Sequence, residues 1–395
     1  MNKPKLWTKD FIIVSSVNFL LTLVFYLLVV IIGVYAVDQF HATTSQAGLV
    51  TGIFIVGALI GRLFIGRSID HIGRKKTLFT GLILFTITTL FYFIHLGIGF
   101  LLLTRFLHGV TMGIASTATG TIVAQIIPNK RKGEGIGYYS MSATLATAIG
   151  PFIGLYMSQH TSTQMIFSLC LTLGIFSFIT AFFVYVPQVE HSTEVSEKKS
   201  IRLSQFIEPK AVPIAVITLV VAFCYSSVLS FINFYAIEID LISAASFFFL
   251  VYSIAVLISR PFTGRLMDVK GANYVMYPAF ILFAAGMLLL ASAHNSLTFL
   301  LGGALIGLGF GNMQSCTQAI AVKITPPHRM GLATSTFFIF LDAGLGFGPY
   351  LLGLFVPMMS YSTLYMILGA FVLASTGLYF VLHGKKDKAQ INALV

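Results

Sequence analysis

The chain has 395 residues, 57% of them apolar and only 9% charged, with 37 Phe and a formal net charge of +11 from 24 Lys and Arg against 13 Asp and Glu. Ordinary globular domains carry about a quarter of their residues as charges, so a soluble domain of this size would have almost nothing to place on its surface. A mean hydropathy of +0.91 excludes disorder, collagen and coiled coil, and at roughly 20 residues per span the length holds about twelve transmembrane helices.

In chain order, the apolar runs predict spans at residues 11–37, 47–67, 77–95, 98–127, 134–157, 164–187, 211–236, 243–264, 273–293, 297–322, 331–358 and 362–383. The first run is too long for a signal-peptide core and lacks a small-residue cleavage site, so it is expected to remain as the first span. Between the sixth and seventh runs lies the longest polar segment, residues 188–210, with Glu190, Glu194, Glu197, Lys198, Lys199 and Arg202. It reads as a cytoplasmic linker between two halves, 1–187 and 211–395. The expected fold class is therefore an all-α membrane protein, twelve transmembrane helices in two pseudo-symmetric six-helix bundles.

Basic residues cluster in alternate connections: Lys3, Lys5 and Lys9; Arg67, Arg74, Lys75 and Lys76; Lys130, Arg131 and Lys132; Lys198, Lys199, Arg202 and Lys210; Arg265 and Lys270; Lys323 and Arg329; Lys385, Lys386 and Lys388. The intervening loops, near Asp38, His95, His160, Glu238, His294 and Met359, have neither Lys nor Arg. This asymmetry predicts that both termini are cytoplasmic, and the expected location is a bacterial cell membrane. On this reading only Arg105 lies deep within a span. Cys170, Cys224 and Cys316 sit in apolar runs without disulfide or metal spacing and read as small buried hydrophobes. His95 and His294 read as surface residues of outer loops, so no metal site is expected.

Several features recur at one offset. Gly66-Arg67 with Asp70 and Gly73 matches Gly264-Arg265 with Asp268 and Gly271; Pro128, Arg131 and Gly133 match Pro326, Arg329 and Gly331; Gly150-Pro151 matches Gly348-Pro349, each pair 198 residues apart. Three sets in one register point to duplicated halves of parallel topology.

At these residues the chain resembles the major facilitator superfamily over nearly its whole length. The run from Gly66 through Asp70 and Gly73 to Arg74, Lys75 and Lys76 is similar to that family's signature between the second and third helices, with Ser68 and His71 in place of the more usual Leu and Arg. Gly66 permits close helix approach, Gly73 a tight turn, and the Asp70 carboxylate can accept from a helix N-terminus or an Arg. The resemblance implies a conformational latch at the cytoplasmic side, built from Gly66, Asp70, Gly73 and Arg74 with Arg131, Gly264 and Asp268. A basic loop that merely sets topology is the alternative.

Arg105 with His108, Gly109 and Gly113 resembles the fourth-helix motif of proton-coupled members. A guanidinium at that depth is costly unless paired or hydrated, so Arg105 and His108 are candidates for proton coupling or, alternatively, a hydrogen-bond hub. Ala146 with Gly150, Pro151 and Gly154 is similar to the fifth-helix motif of the drug:proton antiporter branch; with Gly348 and Pro349 it would give a bend and a close seam against proton leak.

Among the acids, Asp342 alone is mid-span, beside Phe340 and Leu341 and before the Gly348-Pro349 kink. A buried carboxyl that binds a proton or a cation in competition supplies the chemistry of antiport; a satisfied polar contact is the other reading. Candidate lining of a substrate cavity is Asn18, Tyr26, Tyr138, Tyr225, Asn233, Asn312, Gln314 and Phe337. These features lead to an expected proton-coupled exporter of small amphipathic or cationic molecules, working by alternating access between the two halves. Each entering proton supplies about 2.3 kcal/mol per 100 mV. The alternative is a dedicated exporter of one metabolite such as a siderophore or other metallophore, a sugar or a peptide, with Arg105 recognising an anionic group. No cofactor beyond the proton gradient, no nucleic-acid partner and no enzymatic activity is expected; the partners are lipid, protons and a small-molecule substrate, and the resemblance implies a monomer.

Overall fold

The computed structural model describes residues 5–187 and 205–385, all helix and connections without a strand among them. Most of the predicted linker, with Glu190, Glu194, Glu197, Lys198, Lys199 and Arg202, lies outside the described residues, as do Lys3, Lys386, Asp387 and Lys388.

Twelve helices are long and apolar enough to cross a membrane: α1 Lys9–Val29, α2 Gln46–Ile72, α3 Arg74–Phe93, α4 Ile98–Ile126, α5 Asn129–His160, α6 Thr163–Phe182, α7 Val212–Glu238, α8 Ile242–Lys270, α9 Asn273–Ala291, α10 Ser296–Lys323, α11 Pro327–Gly353 and α12 Tyr361–Gly384. The first differs from expectation. The run predicted as one span ends at Val29, and a separate short helix, Ile32–Phe40, follows. The break falls in Val29, Val30, Ile31 and Ile32, four consecutive β-branched residues just before Gly33; β-branching restricts χ1 against the preceding turn and lowers helix propensity.

Helix starts follow side-chain caps. Thr8 Oγ1 accepts the Phe11 N–H at 3.2 Å, and Thr43 and Gln46 form a reciprocal capping box. Ser162, Asn295 and Ser360 cap α6, α10 and α12. Gly73 and Gly271 turn the chain out of α2 and α8 with φ of 98° and 96°, a backbone that side-chain-bearing residues avoid.

The duplication is visible in packing. A Cβ on Gly109 would fall against the Phe54 carbonyl, and one on Gly307 would fall 2.6 Å from the Tyr252 carbonyl; Phe54 and Tyr252 are themselves 198 residues apart. The halves are not copies throughout, for α10 contains a π-helical segment, Gly307–Gly311, where α4 runs as regular α-helix.

Contacts divide the chain into two compact units, and their membership is not that of the two sequence halves. One comprises Met1–Pro128, Leu145–Glu208 and Thr325–Ile339; the other comprises Asn129–Thr144, Pro209–Ile324 and Phe340–Val395. The first turns of α11 belong with α2, and those of α5 with α8. The reason lies in hydrogen bonds that these turns make.

Candidate functional site

In the first unit the carboxylate of Asp70, at the end of α2, accepts from Arg74 Nε at 3.0 Å and Nη2 at 2.8 Å. Its other oxygen accepts the backbone N–H of Gly331 at 3.2 Å, in the opening turn of α11. A carboxylate so placed satisfies an orphan helix donor and complements the helix dipole. Arg74 is buried; it also donates to Gln125 Oε1 at 2.8 Å and the Pro327 carbonyl at 2.6 Å. Gly66 lies against the Ser335 side chain, where any Cβ would collide. The end of the linker joins this cluster: buried Glu208 pairs with Arg329 Nε at 2.5 Å, and its backbone N–H donates to Thr336 Oγ1 at 2.9 Å.

The second unit repeats the device. Both oxygens of Asp268, at the end of α8, accept backbone N–H groups from the opening turn of α5, Gly133 and Glu134, each at 2.8 Å. Arg131 pairs with Glu134 within that turn at 2.8 Å. A Cβ on Gly264 would sit 2.7 Å from Glu134 Cα. Asp70, Arg74 and Gly66 thus lie in the first carboxylate-to-helix cluster and Asp268, Arg131 and Gly264 in the second, while Gly73 supplies the turn between Asp70 and Arg74; Gln125, Glu208 and Arg329 in the first and Glu134 in the second are members that sequence reasoning did not select.

The expectation that Arg105 alone lies deep in a span does not hold. Arg62 in α2 and Arg260 in α8, again 198 residues apart, are 6% and 1% exposed. Arg260 donates to the Gly137 carbonyl at 3.3 Å and the Gly311 carbonyl at 2.8 Å, tying α5 and the π-segment of α10 to α8. Arg62 donates to Ser116 Oγ at 3.4 Å and stacks 4.6 Å from the Phe338 ring centroid, while Ser335 Oγ donates to its carbonyl at 2.6 Å. The signal that could have found them was the offset itself.

Arg105 is fully buried. Its Nε donates to the Val50 carbonyl at 3.2 Å and its Nη1 to the Tyr92 hydroxyl at 3.2 Å, and the guanidinium lies 4.5 Å from the Phe54 centroid. Tyr92 OH is 3.0 Å from His108 Nδ1, and His108 Nε2 is 3.3 Å from Thr89 Oγ1. Nothing in the sequence spacing pointed to Tyr92 or Thr89.

The remaining candidates are dispersed. Asp342 is half-buried, in the second half of α11. Asn18 is buried and accepts from Thr119 at 3.4 Å; Tyr26 backs onto Gly150, where a Cβ would come within 2.6 Å of its own. Gly154 packs on the Leu27 carbonyl, so the Gly150-Pro151 seam lies against α1, and Gly348 meets Ser226 of α7. Tyr225 stacks on Phe310 at 4.0 Å. Asn312 receives Thr263 at 2.8 Å and donates to Ser259 and the Leu308 carbonyl, which bridges the π-segment. Tyr138 and Gln314 are half-buried, Asn233 is exposed and Phe337 is fully buried against Phe338. The three cysteines are free and buried, and no group of three or more His, Cys, Asp or Glu suited to a metal occurs among the described residues.

The sequence profile of the Major Facilitator Superfamily matches residues 14–268 and again 241–393. The chain belongs to that superfamily. Among curated Major Facilitator relatives, the quinolone resistance protein NorA of Staphylococcus aureus is 24% identical, the match covering 94% of this chain and 96% of that protein. The staphylopine export protein of the same species is 22% identical, with 90% and 92% covered. A solved human structure, the organic anion transporter MFSD10, superposes with a TM-score of 0.78 at 14% identity over 96% of this chain and all of that one, which shows a shared Major Facilitator fold. The protein is thus a multi-pass membrane transporter of this superfamily.

Proposed function

We propose that the protein is a proton-coupled exporter of small amphipathic or cationic molecules in a bacterial cell membrane, with both termini cytoplasmic, and that it operates by alternating access. The observation that carries this reading is Asp342, a half-buried carboxylate in the second half of α11 and the one acidic residue of that helix. A carboxyl at such depth is expensive to keep charged, so it holds either a proton or a cationic partner. Proton entry displaces cargo, and cargo binding releases the proton. The Asp70 and Asp268 clusters support the conformational half of the cycle: each is a compact set of charge-assisted bonds to a helix terminus that can break and re-form as a unit. The resistance relative supports the drug-like cargo.

The test is reconstitution in proteoliposomes with an imposed proton gradient, following dye efflux and substrate-driven proton release for wild type and Asp342→Asn. Loss of coupled efflux in the variant is expected; undiminished coupling would remove Asp342 from the mechanism. The staphylopine exporter favours a second reading, a dedicated exporter of one metal-chelating metabolite, and efflux confined to one compound class would select it.

A further inference from the structure

The polar chain around Arg105 has only one self-consistent assignment of hydrogens. Arg105 can only donate, so the Tyr92 oxygen accepts from Nη1. At the far end, Thr89 Oγ1 lies 2.8 Å from the Phe85 carbonyl, which can only accept, so the Thr89 hydroxyl hydrogen is committed there. Thr89 can then only accept from His108, which places a hydrogen on Nε2. The Tyr92 hydroxyl hydrogen is left for His108 Nδ1, 3.0 Å away, and this requires a bare lone pair on that nitrogen. Two independent constraints, one from each end, meet at the same tautomer. A second proton on His108 would make the Tyr92 oxygen accept from both neighbours, leave the Tyr92 hydroxyl hydrogen without its acceptor and stand two hydrogen bonds from a guanidinium, with no carboxylate in the chain.

Among the described residues the surroundings supply no alternative partner. Phe54 and Phe85 cover the imidazole, at 5.6 and 4.3 Å between centroids. The titratable groups facing it are Arg105 from α4 and Tyr92 from α3, with the buried Cys170 thiol of α6 close enough to act electrostatically on both. In the other half, the positions 198 residues on are Met287, Leu290, Gly303 and Ile306. The whole chain of polar groups is replaced there by apolar residues, so the twelve-helix scaffold does not itself demand it.

We propose that Tyr92 and Thr89 are positioning residues that lock His108 as its neutral Nε2–H tautomer, so that Arg105 is a fixed buried charge and His108 is not the carrier of the coupled proton. This rests on the export reading only in naming what His108 does not carry. The experiment is nitrogen NMR of ¹⁵N-histidine-labelled protein in lipid nanodiscs, with the His108 signals assigned by their loss in His108→Gln and exposed His95 and His294 as reference signals. In wild type, one His108 species with a protonated Nε2 and a bare Nδ1 should persist unchanged from about pH 5 to pH 8, the range in which an ordinary histidine titrates. Tyr92→Phe and Thr89→Val should each split that species into two tautomers or make it pH-dependent, while Thr89→Ser, which keeps the hydroxyl, should keep the wild-type signal. Protonation of both His108 nitrogens within that range, an Nδ1–H tautomer in wild type, or a spectrum indifferent to both Tyr92→Phe and Thr89→Val would overturn the assignment. A wild-type protein that moves no substrate would end the export reading and leave this result standing.

Discussion

Asp268 receives the backbone N–H of Gly133 at 2.8 Å, a bond between residues 135 positions apart in the chain that fixes the start of α5 to the end of α8. Its repeat mate Asp70 receives Gly331 at 3.2 Å and also carries the buried Arg74. The difference sets the order of damage. Asp268→Asn should lose one charge-assisted bond, about 1.5–3 kcal/mol, whereas Asp70→Asn also deprives a buried guanidinium of its carboxylate and should cost more. Thermal unfolding in detergent would show it, with Asp70→Asn/Arg74→Gln recovering part of the loss. Equal melting temperatures for the two single variants would contradict the argument.

Gly264→Ala should destabilise by roughly 1–3 kcal/mol, because its Cβ would press on the Glu134 backbone, which has no side-chain freedom with which to yield. Gly52→Ala in α2, with nothing within 4 Å, is the control and should be neutral or stabilising by up to about 1 kcal/mol. Melting temperatures of the two variants are the check.

Arg260→Lys should fail to preserve stability. A planar fork reaches the Gly137 and Gly311 carbonyls at once, and a single ammonium on a flexible stem does not reproduce that geometry. A loss of about 1.5–3 kcal/mol is expected for the unmade charged bond. A lysine variant with wild-type unfolding would show that charge alone suffices there.

Glu208 and Arg329 should couple in a double-mutant cycle of Glu208→Gln and Arg329→Gln. The expected interaction is within the range of about 0.5–3 kcal/mol, toward its lower end because the Arg329 side chain is 37% exposed. Additive losses would mean that the ion pair contributes nothing to holding the end of the linker.

The sequence was most informative where the solvent sets the rule. Lipid-length apolar runs, basic residues concentrated in alternate connections and a 198-residue echo pointed to the twelve helices and the duplication before any coordinate, and the motif from Gly66 to Lys76 carried the resemblance to the family. The apolar run of α1 misled because hydropathy registers composition and is indifferent to β-branching at Val29, Val30, Ile31 and Ile32. Arg62 and Arg260 were overlooked for a related reason. Each stands inside a predicted span, four residues before the Gly of a recognised motif, and the polar atoms that make its burial tolerable come from Ser116 in one case and from the Gly137 and Gly311 carbonyls in the other.

Sequence by itself determined that this protein lives in a bilayer as two repeated sets of six helices, because an apolar solvent leaves the backbone few ways to satisfy itself and writes that demand into every span. Only the tertiary structure decided which helix terminus each carboxylate holds and which hydrogen each member of the Arg105 chain donates. Those are matters of ångströms between residues far apart in the chain, and hydrogen bonds depend on distance and direction, neither of which residue order encodes.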